Sequence, residues 1–186
     1  MRIVGLNGSL SSTSNTYKGV KAVLDHAAEH GAETVLFDLR DTPLPLFHPE
    51  RRDQLADENV YRFISLMDEA DGIVLGSPEY HNMMGGAFKN ALEWVGGRQF
   101  KNKPVALISA TGGPSSMTTL SAMQSMVRSL HGWVVPVFGS IPGTTEFKPN
   151  GEFRDPAMQL RFMTIGAELI ELSKLLKQRR QDWEQR

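Results

Sequence analysis

Short, unbroken apolar runs alternate along this chain with longer segments whose apolar positions recur at helical spacing. The short runs are Arg2–Leu6, Thr34–Asp38, Gly72–Gly76, Val105–Ala110 and Trp133–Phe138. Most are Val, Ile and Leu, the composition of strands covered on both faces. Between them, Tyr17, Val20, Leu24 and Ala27 share one helical face, and Val60, Phe63, Met67 and Ala70 another. Phe88, Ala91, Leu92 and Val95 form a third stripe; Met117, Leu120, Met123, Val127 and Leu130 form a fourth. In the last and longest segment, Met158, Phe162, Ile165, Leu169, Leu172 and Leu176 make an amphipathic pattern.

The order βαβαβαβαβα predicts an α/β fold, a parallel sheet with helices on both faces and right-handed crossovers. Five strands suit the flavodoxin-like order 2-1-3-4-5, a three-layer sandwich. Pro136 supports that order. Proline is confined largely to edge strands or bulges, and the fifth strand is an edge here. Asp41–Pro49 and Ser140–Pro156, each holding three prolines, read as surface loops rather than linkers. With no repeat or low-complexity tract, residues 1–186 read as a single flavodoxin-like domain.

Composition narrows the function classes. Apolar residues are 40% and charged residues 22%, ordinary for a globular protein. The formal net charge of −1 comes with no basic block, so no nucleic-acid partner is expected. Zero cysteines remove disulfides, thiolate metal sites and cysteine nucleophiles. No signal-peptide pattern and no apolar run of spanning length are visible, so the expectation is a cytoplasmic protein without a membrane partner.

Chemistry concentrates after three strands. Gly8-Ser9-Leu10-Ser11-Ser12-Thr13-Ser14-Asn15-Thr16 leaves the first strand and opens a helix. A helix start offers free N–H groups and a favourable dipole for an anion, and hydroxyls complete such a cradle. A Walker loop would need a lysine that is absent, and Gly5-x-x-Gly8 does not match the dinucleotide fingerprint. The bland reading is a polar turn whose Ser14 or Asn15 caps the helix. Gly76-Ser77-Pro78-Glu79-Tyr80-His81-Asn82 leaves the third strand as a stiff loop carrying an aromatic. Alternatively, Tyr80 covers the sheet end and Glu79 is solvated. Ser109 to Ser116, with Thr111-Gly112-Gly113 inside it, leaves the fourth strand; alone it is a strand-to-helix turn capped by Ser115 or Ser116. In a parallel sheet all three loops emerge on one edge. Together they suit a phosphorylated, flat, aromatic ligand, and flavin mononucleotide (FMN) fits that description best.

The phosphate loop from Gly8-Ser9 to Thr16, with Ser77–Asn82 and Gly-Ala-Phe-Lys-Asn-Ala-Leu-Glu-Trp at Gly86–Trp94, resembles the NAD(P)H-dependent FMN reductase family. That family includes azoreductases, quinone reductases and chromate reductases. Lys103-Pro104 and Thr111-Gly112-Gly113 also fit the likeness, which extends up to the last helix. It implies non-covalent FMN, its phosphate held by Ser9, Ser14, Asn15 and Thr16. Pro78, Glu79, Tyr80, His81 and Asn82 would line the ring, with Thr111, Gly112 and Gly113 on its pyrimidine side. It further implies NAD(P)H as co-substrate, NADPH favoured, and a ping-pong cycle to a small acceptor: a flavin, quinone, azo compound or metal oxyanion. Members form homodimers or homotetramers, which makes Phe88, Leu92, Trp94 and Val95 candidate interface residues. Many relatives carry an arginine where this chain has Ser11; that arginine can meet phosphate or the nicotinamide cofactor, so its loss is expected to weaken FMN retention.

No obligatory catalytic side chain is assigned, because the cofactor carries the chemistry. His81 is a weak candidate for an acid that protonates a reduced acceptor. His26, His30, His48 and His131 read as surface histidines without metal-ligand spacing, and no metal is expected. Met83 and Met84 read as packing residues. Asp38, at the second strand's end, reads as a helix or loop contact rather than a ribose-binding acid. Lys177-Gln178-Arg179-Arg180 reads as a solvated helix end. Two other functions fit parts of the pattern. A flavodoxin-like electron carrier would be more acidic than net −1, and a flavin-free Rossmann-type dehydrogenase would carry the missing glycine fingerprint.

Overall fold

A computed structural model describes residues 1–184, with side chains through Arg179. The first half runs β1 (Arg2–Asn7), α1 (Asn15–Glu29), β2 (Glu33–Asp38), a 3-10 turn at Arg52–Ala56, α2 (Glu58–Glu69) and β3 (Gly72–Tyr80). The second half runs β4 (Met83–Met84), α3 (Gly86–Glu93), α4 (Gly97–Phe100), β5 (Pro104–Ala110), α5 (Met117–Ser129), β6 (Trp133–Val134), β7 (Gly139–Ile141) and α6 (Pro156–Glu184).

The parallel sheet has the order β2-β1-β3-β5, with β6 and β7 both on the outer edge of β5. This is the expected order, with the fifth strand in two pieces. The predicted run Trp133–Phe138 pairs only through Val134; pairing resumes at Gly139 opposite Ile108. Pro136 lies in the gap, where it has no N–H to offer the ladder. The stretch read as a loop from Ser140 therefore begins inside β7, and Pro156 at its other end is the first residue of α6. A proline suits that position, because the first helical N–H has no intrahelical acceptor anyway.

Alternate residues of each strand enter opposite cores, as the pleat requires. Val4, Leu6, Ile73, Leu75, Val105 and Leu107 face α2, α3 and α5. Ile3, Val74, Ala106 and Ile108 face α1 and α6. The helical stripes read from sequence supply the other walls: Val60, Phe63 and Met67 on one side, Val20, Leu24, Phe162, Ile165 and Leu169 on the other. Met117 departs from its stripe and is exposed. Phe88, Leu92, Trp94 and Val95 are 0 to 8% exposed, within the chain's own core. They are spent on internal packing and offer no surface to another subunit. Lys177 is not simply solvated, since its Nζ pairs with Asp71 at 2.9 Å. The side chain of Arg180 lies outside the described residues. Among those residues no helix is long and apolar enough to cross a membrane.

Candidate functional site at the C-terminal edge of the sheet

In register, Asn7 lies beside Asp38 on one side and Gly76 on the other, and Ala110 lies beside Pro78 and Ile141. The loops leaving β1, β3 and β5 therefore share one edge, and those leaving β2 and β7 join them.

The first loop is built around the start of α1. Ser14 is its N-cap, and its side chain accepts the Tyr17 N–H at 3.0 Å. Asn15 and Thr16, the first helical residues, have N–H groups with no acceptor inside the helix. Ser9, Ser14 and Thr16 are all at least 95% buried. Glycines bring this end close to its neighbours. Gly8 donates to the Gly76 carbonyl at 2.8 Å. A Cβ on Gly76 would lie 2.3 Å from Val20 Cγ2 and 3.0 Å from Thr16 Cγ2. The capping reading of Ser14 is thus correct, and it leaves the Asn15 and Thr16 N–H groups without an acceptor in the helix.

Arg40, which no sequence pattern singled out, reaches this loop from the end of β2. Its Nε lies 2.9 Å from Asp38 Oδ2, its guanidinium stacks over Tyr17, and Nη1 donates to the Ser11 carbonyl at 3.4 Å. Asn7 Nδ2 donates to both Asp38 Oδ1, at 2.8 Å, and the Ser9 carbonyl, at 3.0 Å. Burial pushes the Asp38 carboxyl up, but Arg40 and Asn7 together hold it below the usual carboxylate value. Asp38 is the loop contact expected of it. A guanidinium thus stands beside the Ser11 carbonyl although position 11 carries no charge, and it is paired with Asp38. The available signal was Asp38-x-Arg40 directly after the strand that neighbours β1. Lys18 Nζ, 3.3 Å from Asn15 Oδ1, is a second cation near the helix start.

The second loop continues the sheet as a hairpin. Glu79 pairs with Met84 and Tyr80 with Met83, so β3 extends four residues beyond its predicted end at Gly76. His81 and Asn82 form the two-residue turn, both left-handed at φ 54° and 61°. Positive φ at both central positions is the type I′ hairpin geometry. Both side chains are exposed at the tip, and Tyr80 is 55% exposed. Ser77 Oγ accepts the Gly85 N–H at 3.0 Å and donates to the Pro78 carbonyl at 3.0 Å, closing the hairpin base. Gly85 is the N-cap of α3, and a Cβ there would stand 3.0 Å from Pro78. A Cβ on Gly86 would meet nothing within 4 Å.

The third loop is tied to the second. Glu79 is not merely solvated: its Oε2 accepts the Thr119 N–H at 3.2 Å in the first turn of α5. Ser116 sits at the N-cap position without capping; its hydroxyl donates to the Ser109 carbonyl at 2.9 Å and meets Ser140 Oγ at 3.0 Å. The Glu79 carboxylate supplies a cap that Ser116 does not. Thr111 Oγ1 accepts the Gly113 N–H at 3.1 Å, and Gly143 donates to the Gly113 carbonyl at 2.9 Å. A Cβ on Gly112 would meet nothing within 4 Å, so space is open on that side of it, while Gly143 packs closely against its carbonyl on the other.

A cavity of about 690 Å³ begins beside the phosphate loop at Ser14, Lys18 and Arg40 and runs along α1 to His26 and Glu29. Of the predicted site residues only Ser14 lines it. The edge loops present converging backbone donors on an open surface, and they make the better ligand site. His26 also corrects the sequence reading. It is 8% exposed rather than a surface group, and it shares a helix face with His30.

The donor set fits FMN. The unpaired N–H groups of Asn15 and Thr16, the hydroxyls around them and the flanking Lys18 and Arg40 suit a phosphate. The glycine backbone at Gly112 and the hairpin wall suit a ring. The chain is 34% identical over 137 residues to an NADPH azoreductase of Bacillus sp. (strain OY1-2), covering 73% of this chain and 74% of that one. It is 33% identical over 158 residues to an FMN-dependent NADPH-azoreductase of Staphylococcus saprophyticus, covering 79% and 84%. In fold it is similar to FerB, a flavoenzyme NAD(P)H:(acceptor) oxidoreductase from Paracoccus denitrificans. That likeness has a TM-score of 0.73 at 18% identity, over 93% of this chain and 97% of that one. An archaeal flavodoxin shares the fold at a TM-score of 0.66 and 16% identity, over 94% and 99%. The model of the NADPH-dependent FMN reductases matches residues 1–146, and the chain belongs to that family.

Proposed function

We propose that this protein holds FMN non-covalently across the loops after β1, β3 and β5 and uses NADPH to reduce small conjugated acceptors, azo compounds foremost. One observation carries the reading. The N–H groups of Asn15 and Thr16, without an acceptor in the helix, share an edge with the exposed Gly112 and the Pro78–Tyr80 hairpin. The azoreductase names of two relatives support the azo class.

Bound FMN supplies hydride acceptance from a nicotinamide and hydride delivery to an acceptor. The chain's own residues bind and orient. Ser9, Ser14, Asn15 and Thr16 hold the phosphate, and Arg40 and Lys18 lend it positive charge. Pro78 and Tyr80 wall the ring, and Gly112 and Gly113 let backbone donors approach its pyrimidine edge, where they favour negative charge. NADPH and the acceptor take turns on the one open surface, which gives ping-pong kinetics. Tyr80, Met83 and Met117 are exposed apolar groups on that side, 46 to 55% accessible, and they are the surface we assign to a second copy of the chain.

Anaerobic NADPH added to the FMN-loaded protein should bleach the flavin, and an azo dye added next should restore it. Flavin that stays oxidised with both NADPH and NADH overturns the reading. Initial rates should give parallel double-reciprocal lines; intersecting lines remove the ping-pong order. Light scattering should read at least two chains, and a monomer with FMN bound removes the dimer.

A further inference from the structure

The end of α1 remote from the flavin edge carries a second constellation. His26, Glu29 and His30 each bring one ligand atom within 4.8 Å of the others. Their i, i+3, i+4 spacing puts them on one helix face. His30 Nδ1 lies 2.8 Å from the His26 carbonyl oxygen. Donation there fixes the tautomer and leaves the Nε2 lone pair outward, the arrangement that orients metal-bound imidazoles. His26 is buried, and its Nδ1 has no hydrogen-bond partner. The cavity along α1 gives access to both His26 and Glu29. Two imidazoles and one carboxylate match the preference of zinc and its borderline neighbours, not the all-oxygen preference of calcium or magnesium. The carbonyl end of the helix favours a cation as well.

We propose that His26, Glu29 and His30 form a binding site for one zinc-class divalent cation at the C-terminal end of α1. The site is independent of the flavin and moves no electrons. Its physical effect is on the last turn of α1, whose three ligand residues it would clip together; that turn packs on α6, where a Cβ on Gly166 would lie 2.8 Å from His26 Cδ2. Binding to the folded form alone then raises thermal stability.

The test uses untagged, chelator-stripped, FMN-loaded protein titrated with zinc chloride by calorimetry. One ion per chain is expected. His30→Ala should weaken binding by about tenfold or more, and Glu29→Gln by less. Zinc should raise the melting temperature of the wild type by more than that of His30→Ala at the same zinc concentration. His30 and Glu29 are exposed, so both variants should fold and keep their flavin absorbance. His48→Ala should bind zinc as the wild type does. Absence of saturable binding, or unchanged affinity in both His30→Ala and Glu29→Gln, overturns the site.

Discussion

Gly76→Ala tests the link between packing and cofactor binding at one atom. The new Cβ would stand 2.3 Å from Val20 Cγ2, 3.0 Å from Thr16 Cγ2 and 3.3 Å from the Leu6 carbonyl oxygen. Carbon atoms in contact prefer about 3.5–4.0 Å. Val20 is fully buried, and a β-branched side chain in a helix has essentially one χ1 rotamer, so it cannot swing away. The start of α1 must move from β3 by roughly 1 Å. Such overpacking costs about 1–3 kcal/mol. For a chain of this size that lowers the melting temperature by about 3–10 °C. The same shift displaces the Asn15 and Thr16 N–H groups. Losing one hydrogen bond to a charged phosphate weakens FMN by about 1–2 kcal/mol, five- to thirtyfold in Kd. Urea unfolding of the FMN-free protein reads the first quantity. Quenching of flavin fluorescence on titration reads the second. Unchanged values for both would refute the close apposition of α1 and β3. A stability loss with unchanged Kd would refute phosphate binding at the helix start.

Ser14→Ala with Asn15→Ala should cost about 1 kcal/mol of stability through the lost cap and weaken FMN by at least about 1 kcal/mol more; unchanged flavin affinity would move the phosphate elsewhere. Asp38→Asn should destabilise the protein by about 2 kcal/mol, because it strips Arg40 and Asn7 of a charged acceptor. The folded Asp38 carboxyl holds its proton less tightly than the unfolded one. Its contribution is therefore complete above the ordinary carboxylate pKa and lost as pH falls through the depressed folded value. The gap between wild type and Asp38→Asn should be constant at neutral pH and narrow below about pH 4; a gap insensitive to acid would refute the pairing. His81→Gln should leave NADPH-driven flavin bleaching largely intact, since that side chain stands exposed at a turn tip. Stopped-flow measurement showing collapse of that half-reaction would make His81 catalytic.

Local pattern carried the architecture. The continuous runs Ile3–Leu6 and Val105–Ile108 read as strands covered on both faces, and the spacing from Phe162 to Leu176 as an amphipathic helix. Both follow from burial and backbone periodicity, which neighbours in sequence express directly. Pro136 foretold an interrupted edge because a missing N–H is a property of the residue itself. Ser14 as cap, and loops 8–16, 77–82 and 111–113 on one edge, follow from strand direction once the sheet is parallel.

Tertiary structure decided whatever depends on partners distant in sequence. Arg40 reaches Ser11 only because β2 lies beside β1, and Glu79 caps α5 only because β3 lies beside β5. Phe88 and Trp94 read equally well as core or interface until α3 is docked, when the core claims them. His26 read as surface until α6 covered it at Gly166, leaving one ring nitrogen without a partner. Hydrophobic periodicity shows which face of an element is apolar, and the sequence by itself determined that much. Which element arrives on that face, and which polar group it brings, is set by long-range packing, and only the folded chain contains it.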